Sequence, residues 1–72
     1  MDKEDRKFVK SNIIGELGML LFDGSDCETI ADSILDDVVT DIEETADEKL
    51  WNSSDVNISM KRVLMKRILF NN

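Results

Sequence analysis

From Cys27 to Ala46 the apolar residues return every third or fourth position: Cys27, Ile30, Ala31, Ile34, Leu35, Val38, Val39, Ile42 and Ala46. A strand needs alternation with period two, so this spacing commits the segment to a helix with one apolar face. Its start carries a matching signal, Ser25 followed three residues later by Glu28, the pattern in which each side chain satisfies a backbone N–H beside the other. The spacing predicts a helix over about 26–50. At its far end Asp47 and Glu48 face the negative pole of the helix dipole with only Lys49 to offset them, so the last turn is expected to be weak.

Two further helices follow from the punctuation. Proline is absent, and the breaks are "DGS" at 23–25 and "NSSD" at 52–55. Ahead of the first break, about 3–22, Val9, Ile13, Ile14, Leu17, Leu20 and Leu21 share one arc, while Phe8, Gly15 and Phe22, seven apart, line a second seam. After the second break, about 54–70, Ser53 or Ser54 can serve as N-cap. Here Val56, Met60, Val63, Leu64 and Ile68 form one face, and Ile58, Met65 and Leu69 another. Val56, Ile58 and Met60 also alternate as a short strand would, but the chain offers no second strand for it to pair with.

The fold class expected is therefore all-α, a single three-helix bundle. A chain of 72 residues buries a small share of its surface, and helices apolar on two sides need a second contact. We expect a homo-oligomer, most simply a dimer, associating through Phe8, Gly15, Phe22, Met65 and Leu69.

Charge is unevenly placed. The formal net charge of −7 divides into −1 over residues 1–25, −9 over 26–50 and +3 over 51–72. On the second helix Asp32, Asp36, Glu43 and Asp47 fall within about 60° of one another, with Asp37, Asp41, Glu44 and Glu48 on the adjoining flank. That acidic face is a candidate docking surface for a basic protein partner, and in the extreme it imitates the phosphate spacing of DNA. The third helix repeats a five-residue phrase, "MKRVLMKRIL", but five residues advance by about 500°, which sets the copies about 140° apart. No single basic stripe results. An acidic chain without one, and without an aromatic series for stacking, is not expected to bind nucleic acid directly. The cations of helix three are expected to lie beside the carboxylates of helix two.

Catalytic chemistry has few parts to work with. There is no histidine, which removes the usual base of a nucleophilic triad and the usual zinc sets, and one cysteine, Cys27, cannot make an internal disulfide. Cys27 falls on the apolar arc and is expected to pack as a small hydrophobe. No calcium-loop pattern is present. We expect no enzyme activity, no cofactor, no metal and no membrane contact, since the longest apolar run is only Met19 to Phe22. A lone cysteine and no signal-like start fit a cytoplasmic protein.

The segments "IIGELG" (13–18) and "ADSIL" (31–35) and the acidic run "DIEE" (41–44) resemble the acyl carrier proteins, small acidic helical domains. The resemblance covers about half the chain and implies attachment of phosphopantetheine at Ser33, with the acidic second helix docking partner enzymes. The sequence departs from that pattern in having Ala31 before the Asp32–Ser33 pair, where the family has glycine, and in placing Ser33 inside a helix that starts near Ser25. The primary expectation is a binding protein that self-associates, of a composition similar to small accessory proteins of phages and mobile elements. The alternatives are an acidic inhibitor of a nucleic-acid-binding protein and a carrier modified at Ser33.

Overall fold

A computed structural model describes residues 1–20, 26–46 and 50–70. It contains three α-helices, α1 (Lys3–Leu20), α2 (Cys27–Thr45) and α3 (Ser53–Phe70), and every pair of them is in contact. Among the described residues there is no strand, and the alternating Val56, Ile58 and Met60 lie on α3. The expected Ser25 cap, the "DGS" break and Phe22 lie outside the described residues, as does Asp47.

The expected spacing places the core. Val9, Ile13 and Leu17 of α1 meet Cys27, Ala31, Ile34, Val38, Val39 and Ile42 of α2 and Val56, Met60 and Val63 of α3, all buried. Cys27 is thus part of the apolar interior. Trp51, just ahead of α3, packs partly buried against this cluster, and its ring stands 5.6 Å from that of Phe8 in a tilted arrangement.

Several boundaries differ from the sequence expectation for physical reasons. Helix α2 stops at Thr45 rather than near residue 50: Ala46 turns extended, with φ −122° and ψ 155°, while its N–H still donates to the Ile42 carbonyl. This is the carbonyl end at which acidic residues are unfavourable. Helix α3 is capped by Asn52, not by Ser53 or Ser54. The Asn52 side chain accepts from the N–H groups of Ser54 at 2.9 Å and Asp55 at 3.4 Å, and the Asp55 carboxylate accepts from the Asn52 N–H at 2.8 Å. That is a reciprocal capping box written with Asn and Asp instead of Ser and Glu. Asp2 does the same duty for α1, accepting from the Asp5 N–H at 2.8 Å.

Two residues expected on core faces are out in solvent. Leu20, on the last described turn of α1, is 61 % exposed, and Ile68 is 70 % exposed. Among the described residues the buried stripe of α3 runs Val56, Ser59, Met60 and Val63 and goes no further.

Candidate functional site

The acidic residues of α2 sit on two seams rather than on one bare face. Toward α1, Asp32 receives the Lys10 ammonium at 2.8 Å, Asp36 pairs with Arg6, and Glu43 lies 3.4 Å from the amino group of Met1. Glu28 also lies within 3.5 Å of Lys10. The hydrogen bond that Lys10 donates to Asp32 raises the Lys10 pKa; burial works against the rise, and the negative charges of Asp32 and Glu28 add to it. Asp36 keeps 86 % of its side chain exposed within its pair, so the contact is a surface one.

Toward α3 the contacts are deeper. Arg62 donates twice to Asp41, at 3.1 and 2.7 Å, and also to the Thr45 hydroxyl at 3.2 Å, while Arg67 donates to Asp37 at 2.9 Å and to the Ser33 carbonyl at 2.8 Å. Beneath them Ser59 is 1 % exposed and within 3.4 Å of Arg62. Burial pushes the Asp41 pKa up, but hydrogen bonds from Arg62 and Ser59 and the charges of Arg62 and Lys66 outweigh it, and the net shift is downward. Two α3 cations, Arg62 and Arg67, therefore lie over α2 carboxylates, and Arg6 and Lys10 of α1 meet those on the other seam.

Between α2 and α3 an open groove of about 420 Å³ is lined by Asp37, Thr40, Asp41 and Glu44 of α2 and by Val63, Lys66, Arg67 and Phe70 of α3. Its carboxylates Asp37 and Asp41 are already committed to guanidinium partners. Ser33 lies mid-helix in α2 and is exposed; its hydroxyl donates to the Ile30 carbonyl at 2.7 Å, one turn back. Among the described residues no three acidic or cysteine side chains converge as metal ligands, and no helix is long and apolar enough to cross a membrane.

Large apolar side chains are also exposed. Phe8 is 48 % exposed, Met65 61 % and Leu69 65 %, and with them Met19, Ile58, Ile68 and Phe70 stand out from α1 and α3. Gly15 has open space around the position a Cβ would take, so among the described residues nothing uses its close approach. Of the five expected association residues, four thus lie on exposed helix surface and Phe22 lies outside the described residues. Sequence reasoning missed Trp51, whose contact with Phe8 ties the start of α3 to α1, and Ser59, which is buried beside Arg62 at the point where that residue holds Asp41. Comparison of the chain with protein-family models, with characterised proteins and with solved structures finds no match.

Proposed function

We propose that this chain is a non-enzymatic binding protein that acts through protein–protein contact and associates with a second copy of itself through α1 and α3. One observation carries the reading: nine large apolar side chains, from Phe8 at 48 % to Met19 and Phe70 at 82 %, remain exposed after the bundle has closed. Scattered apolar residues are ordinary on a surface, but eight of these nine lie on only two helices, and concentrated apolar exposure of this kind marks contact sites. Sedimentation equilibrium of the whole chain across the micromolar range tests it. A dimer that dissociates on dilution is the expected result; a monomer at the highest soluble concentration removes the reading.

The exposure of Asp36 within its ion pair supports a second reading, in which a basic protein displaces the chain's own cations from α2. Surface pairs are weak enough for that exchange. Reversing Asp32 and Asp36 to lysine is then expected to abolish capture of that partner without loss of helix content, and unchanged capture rejects it.

A further inference from the structure

The charges of this molecule are polarised about α2, and that polarity says where a second copy sits. Five ion pairs join different helices among the described residues, and each sets a carboxylate of α2 against a cation of α1 or α3; none joins α1 to α3. The contact between α1 and α3 is made instead by apolar groups, with Phe8 against Trp51 at its edge. Helix geometry fixes what lies on the side away from α2. Arg6 reaches α2 from α1, Ser59 lies beneath the Arg62–Asp41 contact between α3 and α2, and nine residues are about two and a half turns. Gly15, nine residues after Arg6, and Ile68, nine after Ser59, therefore look away from α2. Phe8 and Met19 share the side of Gly15, and Met65 borders that of Ile68.

We infer that the second copy docks on this α1/α3 side, so that α1 and α3 of both copies form a shared apolar layer and the two α2 helices face outward. The inference rests on the self-association proposed above and specifies its geometry. Two arguments choose the occupant and its orientation. Each copy carries −7, most of it on α2, so pairing through α2 opposes like charges, whereas the α1/α3 side places them as far apart as the bundle allows. The area also fits. With roughly 150–250 Å² for a large side chain when bare, the exposed parts of Phe8, Met19, Met65 and Ile68 sum to on the order of 500 Å². Weak, dilution-sensitive interfaces bury less than about 600 Å² from each partner, and an apolar patch of about 300–600 Å² is often a functional contact surface. The bare backbone at Gly15 gives the bulky residues of the facing copy somewhere to seat.

The test compares dimer dissociation constants of the whole chain by sedimentation equilibrium, with circular dichroism confirming helix content. Ile68→Glu and Gly15→Glu are expected to weaken the dimer at least about tenfold, while Glu44→Lys, on exposed α2, leaves it within about twofold. Met65→Glu provides a second α3 variant at an exposed position should either of the first two lose helix content. Trp51 supplies a readout that needs no substitution: its quenching by acrylamide is expected to fall as the protein passes from monomer to dimer. A dimer indifferent to the α1 and α3 variants but broken by Glu44→Lys, or one whose formation leaves Trp51 quenching unchanged, overturns this geometry while self-association stands. Absence of any dimer overturns both.

Discussion

Arg62 on α3 holds the Asp41 carboxylate of α2 at 2.7 Å, and the two close over Ser59, a hydroxyl with 1 % exposure on an otherwise apolar core face. A polar group so placed is costly unless its hydrogen bonds are made, so this cluster fixes how α3 lies along α2. Because the Asp41 pKa is depressed in the folded chain, its contribution to stability is fully present above the ordinary carboxylate value of 3.8 and is lost as pH falls through the lower, folded value. Asp41→Asn is expected to cost about 1 kcal/mol at neutral pH. Urea midpoints taken from pH 7 down to pH 2 should show the gap between native chain and variant closing below pH 4. A gap of constant size would mean that the charge on Asp41 is not what stabilises the seam.

Burial separates two residues of equal size. Ile42 is fully buried and Leu69 is 65 % exposed. Ile42→Ala leaves a cavity among α1, α2 and α3 and is expected to cost about 2–5 kcal/mol, a large part of what a chain this small can hold. Leu69→Ala, measured at concentrations low enough to keep the protein monomeric, is expected to stay within about 0.5 kcal/mol. Denaturant titration of both variants checks the contrast, and a Leu69→Ala loss near that of Ile42→Ala would place Leu69 inside the fold.

The cap of α3 is a third point of leverage. Asn52→Ala removes the acceptor for two backbone N–H groups and leaves Asp55 without its reciprocal partner, an expected loss of about 1 kcal/mol. Asn52→Ser preserves the acceptor and most of the stability. Ser53→Ala and Ser54→Ala, at the positions the sequence first suggests, are expected to change thermal midpoints hardly at all.

The periodicity of α2 made its helix and its buried face legible, because a three-and-four spacing of nine apolar residues has one structural solution. Ends were less legible. A cap depends on which of several neighbouring polar residues reaches a backbone N–H, and Asn52, Ser53 and Ser54 are chemically close enough that only the geometry with Asp55 decides. Ile68 illustrates a different limit: it keeps helical register with Val56 and Met60, but register cannot say where the neighbouring helices stop covering it. The acidic face was legible as composition and not as surface. Asp32, Asp36 and Glu43 do fall together, yet the cations that meet them come from residues 1, 6 and 10, a pairing more than twenty residues distant in sequence that no local pattern encodes.

Gly15 offers a test in which stability and association move in opposite directions. It lies within α1, where glycine lowers helix stability relative to alanine by up to about 1 kcal/mol, and a Cβ built there meets nothing within 4 Å. Within a single copy, Gly15→Ala therefore fills open space and restricts the unfolded chain, and the thermal midpoint of a dilute sample is expected to rise. In the proposed dimer the same methyl would occupy the place where the facing copy's side chains seat, so at higher concentration association is expected to weaken. Thermal melts at low micromolar concentration together with sedimentation at a hundredfold higher concentration separate the two effects. A gain in both measurements would mean that α1 meets no close neighbour in the dimer, and a loss in both would mean that the space beside Gly15 is already occupied within one chain.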